Sequence, residues 1–354
     1  MTKSGKKTPP SALAAPLRAP LSAPSLSDMH AAAKRLHGVA VRTALTRFDP
    51  ETATIPGAGG RAAPEIYLKL EHTQPIGSFK IRGAANALAL ATATEIADGI
   101  WTASAGNMAQ GVAWVARARG VRCVAVVPDH APRAKTDAIK RLGAEVIVVP
   151  FEAWWDALLT HSHPGMTGLM VHPFADNAVM AGNATIGLEI AEDQPDLDAV
   201  LVPWGGGGLA LGIAAALREV SPNTKVYAVE VETAAPLTAS ISAGEPVIVR
   251  RTKTFIDGMG SDRVSHETWP LVKGLIAGTV VVTVQQVAAA LKLLIERAGV
   301  TAEGAGAATV AAAMAGAMRG RSAIALPAKR VACVISGGNI DADVVAAIMR
   351  GAVP

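Results

Sequence analysis

The chain has 354 residues, of which 50% are hydrophobic and 4% aromatic, and its formal net charge at pH 7 is +4. This length suffices for two lobes with a buried core, while so small a charge excess and so few aromatic rings argue against nucleic-acid binding. No apolar run reaches the length of a bilayer span, and no apolar N-terminal segment precedes a cleavage site, so we expect neither a membrane protein nor a secreted one.

The N-terminal residues 1–27 are rich in Ala, Pro, Ser and Lys and contain no acidic residue. Because they include a single arginine, Arg18, this composition is more typical of a flexible tail than of an organelle transit peptide. The two cysteines, Cys123 and Cys333, lie within apolar strand-like runs, where small buried thiols are common. We therefore expect a protein of the reducing cytoplasm.

The first segment that suggests chemistry is 77–83, which places Lys80 where a mixed stretch gives way to an alanine-rich helical pattern. We expect Ser78 to cap this helix at its N-terminus. A lysine that is held still and partly desolvated at a helix start can act as a nucleophile. Because most lysines are surface charges, Lys80 needs support from other motifs before it indicates a function.

Downstream of residue 100, short β-branched runs alternate with alanine-rich helical stretches. This rhythm predicts βαβ units, and hence an α/β fold with a parallel sheet. The polar, proline-containing residues 165–181 interrupt it, and we expect the connection between two lobes there. The predicted strands are 100–104, 121–127, 144–149, 199–203, 225–230 and 331–335, and the predicted helices start at Met108, span 133–142, end at Arg218 and start near Asp341.

Three glycine-bearing turns each follow a predicted strand and precede a predicted helix, which is where an open α/β sheet binds ligands. The small residues of 104–107 let backbone N–H groups approach a carboxylate, and the four glycines of 205–208 can curl round a phosphate. In the turn at 336–339, the hydroxyl of Ser336 can donate one directed hydrogen bond. A single turn of this kind is usually only structural, but three of them together with Lys80 favour a ligand site.

A dinucleotide-binding fold is an alternative use of the second turn. Gly205, Gly207 and Ala210 satisfy the loose G-x-G-x-x-G/A pattern, and Glu230 is an acidic residue about twenty positions further on. That pattern is common by chance, and it leaves Lys80 without a role.

In their order along the chain, six short motifs resemble those of the threonine/serine dehydratase family, which belongs to the fold-type II pyridoxal-phosphate-dependent enzymes. The resemblance extends from about residue 30 to the C-terminus and is most specific at the lysine motif and the glycine run. The motifs are residues 69–71, 77–84, 104–107, 205–209, 303–306 and 336–339.

The resemblance implies a fold like that of the tryptophan synthase β subunit, with two open, twisted, mostly parallel sheets flanked by helices. It also implies pyridoxal 5'-phosphate as the cofactor, a small-molecule substrate that is an amino acid, and a homodimer. A large cofactor-binding domain would comprise residues 28–88 and 178–354, and a small mobile domain would comprise residues 89–177.

The resemblance further implies roles for individual residues. Lys80 would hold the cofactor as a Schiff base and then act as the base at the substrate Cα, while Phe79 would pack beside the cofactor. Glu303 would lie by the cofactor or cap the helix that follows it. The cofactor phosphate would be bound by the backbone amides of Gly205, Gly206, Gly207, Gly208 and Leu209. The substrate carboxylate would be bound by Ser104, Ala105, Gly106 and Asn107. Ser104 is also a candidate for catalysis. Asn107 would also hydrogen-bond the ring hydroxyl of the cofactor.

The resemblance also implies that Ser336 faces the pyridine nitrogen of the cofactor. A neutral hydroxyl there, in place of a carboxylate, leaves that nitrogen largely unprotonated and makes the cofactor a weaker electron sink. Elimination of a β-substituent suits such a site better than transamination does. The expected activity is therefore that of a dehydratase, or ammonia-lyase, which converts a β-hydroxy-α-amino acid of the threonine or serine type to a 2-oxo acid and ammonia.

Several positions depart from the family pattern. Ala105 stands where racemases of the group have a second serine, which disfavours a racemase. Met108 replaces a usual histidine and Trp204 a usual small aliphatic residue, and as walls of the substrate pocket they would suit a bulkier substrate such as phenylserine. Pro236 stands where some relatives have an acidic metal ligand, so we expect no metal near Glu230.

Other interpretations stay open. Hydroxyaspartate is a further candidate substrate, and a β-replacement enzyme like the cysteine synthases is disfavoured because their threonine-bearing phosphate loop is absent. Outside enzymes, the alternative is a cofactor-binding sensor. His161 and His163 have a spacing that suits a metal but lack a flanking acid or cysteine, so a solvated loop is the better interpretation. Asp257 and Gly258 resemble a family segment near the cofactor, although turn chemistry also explains them.

Overall fold

A computed structural model describes residues 19–50, 64–131, 133–259, 261–315 and 328–354 of the chain. The strands are β1 Leu45–Phe48, β2 Glu65–Lys69, β3 Ile100–Ala103, β4 Cys123–Pro128, β5 Glu145–Val149, β6 Leu169–Met170, β7 Ala199–Pro203, β8 Lys225–Val231, β9 Gly278–Val282 and β10 Arg330–Val334. The helices are α1 Leu26–Leu36, α2 Lys80–Leu90, α3 Asn107–Arg119, α4 Arg133–Arg141, α5 Phe151–Thr160, α6 Asn177–Asp193, α7 Gly208–Val220, α8 Pro236–Ala243, α9 Trp269–Leu275, α10 Val284–Ala298, α11 Gly304–Ala315 and α12 Ala342–Met349.

The strands form two sheets. The larger sheet has the order β1-β2-β10-β7-β8-β9, in which only the β1–β2 pair is antiparallel among the described strands. The smaller sheet has the order β5-β4-β3-β6 and is parallel throughout its described strands. Two mostly parallel sheets flanked by helices confirm the predicted fold class.

The central strands are buried on both faces because helices cover both sides of each sheet. Every residue of β4 and β7 is buried, which is why these strands appear in the sequence as continuous apolar runs rather than as an alternation. On one face of the larger sheet the core is formed with α10 and α11, and on the other face with α6 and α7.

The predicted elements agree with the observed ones to within one or two residues at most ends, and β7 matches at both ends. The predicted connection at 165–181 is a partial exception, because it contains β6 and the first turn of α6. The Asp176 side chain begins that helix by accepting hydrogen bonds from Ala178 N (2.8 Å) and Val179 N (3.1 Å). A strand of two residues is too short to leave a recognisable pattern in the sequence.

The predicted flexible tail ends earlier than residue 27. The Leu21 side chain packs on the apolar cluster beside α7, and helix α1 begins at Leu26 with a capping box between Ser25 and Asp28. The last part of the predicted tail is therefore ordered, since Leu21 packs on an apolar cluster and Ser25 caps α1. Residues 1–18 lie outside the described residues.

The predicted domain boundaries near residues 89 and 177 stay a prediction. Strands β3 to β6 fall between them, but helix α2 shares an apolar cluster with α3 and β4 through Ile81, Ala84 and Leu88. None of the helices in the described part of the chain combines the length and the apolarity that crossing a bilayer requires.

Candidate active site

Lys80 is the first residue of α2, and the loop before it is tied to the loop after β10. Phe79 N donates to Ser336 O (3.0 Å), and Gly338 N donates to Gly77 O (2.9 Å). Ser78 forms an antiparallel bridge with Gly337 between these two bonds. The lysine loop and the serine loop therefore act as one structural unit, although they are far apart in the sequence.

The prediction that Ser78 caps α2 is wrong. The residue at the cap position is Phe79, whose backbone is already helical, and no side chain caps the helix there. The Ser78 hydroxyl is buried and finds no hydrogen-bond partner among the described residues. Pairing with Gly337 fixes the Ser78 backbone in a bridge, and this long-range contact overrides the local capping preference.

Strand order brings the sequence motifs together. β2, β10 and β7 are adjacent and parallel, so the loops that follow them lie at one edge of the larger sheet. The smaller sheet contributes the turn after β3, where Asn107 Nδ2 donates to both oxygens of Glu303, at 2.9 and 3.2 Å. Asn107 Oδ1 accepts from Asn339 Nδ2 (2.9 Å), so residues from both sheets meet at this point.

The side chain of Lys80 is partly buried and its amine is held in place. Its Nζ donates to Pro173 O (2.6 Å) and lies 5.0 Å from the centroid of the Phe79 ring. Burial lowers the pKa of Lys80 to about 8, while the nearby negative charge of Glu303 opposes this shift. At neutral pH a far larger fraction of this amine is unprotonated than for a solvated lysine, whose pKa is about 10.4.

Glu303 lies between the loops of the two sheets. Its backbone N donates to Gly337 O (2.8 Å), and α11 starts at the next residue. Its carboxyl bonds to Asn107, and within the described residues no bond joins that carboxyl to the amides of α11. Burial raises the pKa of Glu303, although the Asn107 amide and the neighbouring cations oppose this.

Three glycines of the run, Gly206, Gly207 and Gly208, are packed so closely that side chains would not fit. A Cβ on Gly206 would lie 2.1 Å from the Phe174 ring, and a Cβ on Gly208 would lie 2.6 Å from Phe174 O. Gly207 has a φ of +95°, a conformation that L side chains rarely adopt. Glycines are therefore needed here for close approach and for the bend.

The same run ends at the N-terminus of α7, where the backbone is suited to an anion. The N–H of Leu211 is bonded to Gly207 O (2.9 Å), whereas the amides of the first turn have no acceptor within the helix. These free N–H groups and the positive end of the helix dipole can bind a phosphate.

The third turn supplies a hydroxyl. Ser336 Oγ is buried and forms no satisfactory hydrogen bond within the described residues, although it lies close enough to Glu303 to lower the pKa of that carboxyl. An amine with a lowered pKa, an anion cradle and a buried hydroxyl without a satisfactory hydrogen bond match the aldehyde, the phosphate and the ring nitrogen of pyridoxal phosphate. The residues present thus fit this cofactor.

Comparison with known proteins agrees with this geometry. Residues 51–337 match the family described as "Pyridoxal-phosphate dependent enzyme". The chain belongs to this family. As a pyridoxal-phosphate dependent enzyme it uses that cofactor, and the predicted cofactor is confirmed.

Named relatives place the chain more closely within the family. It is 39% identical over 329 residues to an L-threonine ammonia-lyase of Thermotoga maritima, which covers 92% of this chain and 78% of the relative. Among solved structures it resembles a T.th. threonine deaminase, with 32% identity, a TM-score of 0.74, and coverage of 90% of this chain and 99% of the other. It also resembles a serine racemase from Dictyostelium discoideum, with 32% identity, a TM-score of 0.77 and the same coverage. The resemblance to the threonine/serine dehydratase family is confirmed.

The sequence analysis missed the segment 172–174. Pro173 O accepts from Lys80 Nζ, and the Phe174 ring packs against the glycine run. The His172 ring, 4.5 Å from that of Phe174, orders the segment, since its Nδ1 accepts from Ala175 N (2.8 Å). The segment follows the carboxyl end of β6, so recognition of that short strand would have indicated it.

The two residues assigned to the substrate pocket are buried in apolar clusters. Met108 is 1% exposed among residues of α2 and α3, and Trp204 is 2% exposed among residues of α6 and α7. Their role as pocket walls stays a prediction, as do the substrate contacts of Ser104, Ala105 and Gly106.

Glu230 has a structural partner in the fold. Its carboxylate accepts from Leu237 N (2.7 Å) and from Thr238 N (2.8 Å), at the start of α8. An acid engaged in this way is not free to bind a ribose, so the dinucleotide alternative loses its support. Among the described residues, no group of three or more His, Cys, Asp or Glu side chains is arranged to hold a metal ion.

The remaining candidates lie where the two sheets' loops approach each other. The His161 ring stacks on the His172 ring, with 4.4 Å between their centroids, and its Nε2 lies 3.2 Å from Glu267 Oε2. His161 is therefore packed, whereas the sequence predicts a solvated loop. His163 accepts from Gly165 N instead (3.3 Å). Asp257 pairs with Lys135 of α4, and a Cβ on Gly258 would lie 3.3 Å from Glu303 Oε1.

Proposed function

We propose that this enzyme is a pyridoxal-phosphate-dependent dehydratase, or ammonia-lyase, which converts a β-hydroxy-α-amino acid of the threonine or serine type to a 2-oxo acid and ammonia. The observation that carries the proposal is Lys80, a desolvated amine with its pKa lowered to about 8. Its Nζ donates to Pro173 O, next to the Phe174 ring that packs on the glycine run, and the backbone before it donates to Ser336 O. The L-threonine ammonia-lyase relative supports the same reaction.

The cofactor, when bound, supplies the electron sink that weakens the Cα–H bond of an amino acid. Lys80 Nζ then accepts the proton from the substrate Cα, since an amine with a pKa of about 8 lies close enough to neutral pH to act as a general base. Ser336 would hold the ring nitrogen of the bound cofactor, and a neutral hydroxyl in that role would favour elimination of the β-hydroxyl over transamination. Ser104 and the backbone at the start of α3 hold the substrate carboxylate.

The loops of the two sheets close the site around the substrate. Asn107 bonds to Glu303 and Asn339, and Lys135 pairs with Asp257, so contacts from the smaller sheet flank Lys80 on the larger one. Such closure excludes water from the reacting centre. A homodimer and a cytoplasmic location are part of the same proposal.

Racemisation is the second candidate reaction, because a serine racemase is among the similar structures. Ala105 argues against it, since alanine offers no group that could deliver a proton to the opposite face of Cα. Incubation of the enzyme with L-serine and chiral analysis of the amino acid would separate the two reactions.

The test of the proposal is a substrate panel. The purified holoenzyme is incubated with L-threonine, L-serine, hydroxyaspartate and phenylserine, and release of 2-oxo acid is measured. We expect turnover of threonine or serine, and loss of activity by at least about a thousandfold in Lys80→Ala because both covalent attachment and the base are removed. Cofactor-loaded protein that releases no 2-oxo acid from any of the four would contradict the proposal and favour a sensor.

A further inference from the structure

Trp204 carries a buried hydrogen-bond donor that the fold does not use. It follows the last residue of β7 and directly precedes the glycine run, and its side chain is 2% exposed. The indole Nε1 has no hydrogen-bond partner among the described residues. A buried N–H that lacks an acceptor is destabilising, so its presence here calls for an explanation.

The indole lies against the bend of the glycine run. A Cβ placed on Gly207 would lie 2.8 Å from Cη2 and 3.1 Å from Cζ2 of the Trp204 ring. Nε1 is joined to the ring carbon next to Cζ2, so the edge that carries the N–H is continuous with the edge that faces Gly207. The ring that carries the unused donor therefore packs against the loop.

Strand geometry explains how the ring reaches this position. Side chains at alternate positions of a strand share one face, and Val200, Val202 and Trp204 belong to one apolar cluster. The Trp204 backbone N donates to Val229 O (2.8 Å), which continues the β7–β8 pairing by one residue and holds the ring beneath the loop.

We propose that Trp204 is a cofactor-binding residue, whose indole N–H donates a hydrogen bond to the phosphate group held by the backbone of 205–209. The phosphate is the acceptor that the buried donor lacks. The proposal rests on the cofactor and not on the identity of the substrate, so it can fail while the dehydratase proposal stands.

The test compares cofactor affinity with and without the donor. Apoenzyme and its Trp204→Phe variant, which keeps the ring bulk but lacks the N–H, are titrated with pyridoxal phosphate and with pyridoxal. We expect the Kd for pyridoxal phosphate to rise about tenfold or more, as for loss of a hydrogen bond to a charged acceptor, and the Kd for pyridoxal to stay unchanged.

Trp154 provides the matched control. Its Nε1 is also buried without a partner among the described residues, but it lies in α5 against the smaller sheet. Trp154→Phe should leave both affinities unchanged. An unchanged Kd for pyridoxal phosphate in Trp204→Phe, or an equal loss for pyridoxal, would show that Trp204 only packs.

A second measurement needs no variant. In apoenzyme labelled with nitrogen-15 at its six tryptophans, one indole N–H signal should shift when inorganic phosphate is added. The same signal should not shift with pyridoxal. If none of the six signals responds to phosphate, the proposal is wrong.

Discussion

Among single residues, Lys80 is central to the proposed chemistry, which depends on the protonation state of its amine. Burial lowers the pKa of Lys80 because it disfavours the charged amine, and the negative charge of the neighbouring Glu303 partly opposes this shift. Burial in turn raises the pKa of Glu303 itself. The pKa values of a solvated lysine and a solvated glutamate differ by about six units. Desolvation brings the two pKa values closer together, which is the arrangement expected where a proton is transferred.

The pH dependence of cofactor uptake tests this arrangement. Only the neutral amine attacks the cofactor aldehyde, so the rate of cofactor incorporation into apoenzyme should rise with pH and level off above about 8. Glu303→Gln removes a charge that raises the pKa of Lys80, so its profile should move to lower pH. Glu145→Gln, which alters an exposed carboxylate of β5, should leave the profile in place. A wild-type midpoint near 10 would contradict the lowered pKa.

At the scale of secondary-structure elements, a buried charge network fixes the helix that carries Lys80. The Arg82 guanidinium, two residues further along α2, bonds to both oxygens of Glu71 (2.8 and 2.9 Å) and to both oxygens of Glu189 (2.6 and 2.9 Å). Lys69 Nζ also donates to Glu189 Oε2 (2.7 Å). These partners join α2 to the end of β2 and to α6, and all of them are buried.

Arg82→Met should therefore destabilise the apoenzyme by about 3–5 kcal/mol, because it leaves buried carboxylates without their main counter-charge. The free energy of unfolding is measured by urea titration. The control is Arg122→Met, which removes a more exposed pair with Glu145 and should change the urea midpoint little. If both substitutions lower the free energy of unfolding equally, the buried network does not fix α2 more strongly than an exposed ion pair would.

For the molecule as a whole, the proposed closure of the site depends on contacts between the loops of the two sheets. Lys135 of α4 pairs with Asp257, beside Gly258 and Glu303, whereas Arg122 pairs with Glu145 within the smaller sheet. The first pair joins the two sheets and the second does not.

Lys135→Ala should raise the substrate KM several-fold while the Kd of the cofactor changes less, because the proposed function has the loops of the larger sheet hold the cofactor and the closure of the two sheets' loops complete the substrate site. Steady-state kinetics and cofactor titration measure the two quantities. Arg122→Ala serves as the control, and it should leave both unchanged. A KM that stays at the wild-type value in Lys135→Ala would rule out a role for this pair in closure.

From the amino-acid sequence alone one can predict the α/β class, most of the strands, the three glycine-bearing turns and Lys80 as the candidate nucleophile. These features depend on local composition: buried parallel strands are apolar runs, and close approach of the backbone requires glycine. Only the tertiary structure decided that Ser78 bridges to Gly337 instead of capping α2, that Asn107 meets Glu303, and that Pro173 holds Lys80. Those contacts join distant parts of the chain, and they follow from the strand order, which local preferences do not encode.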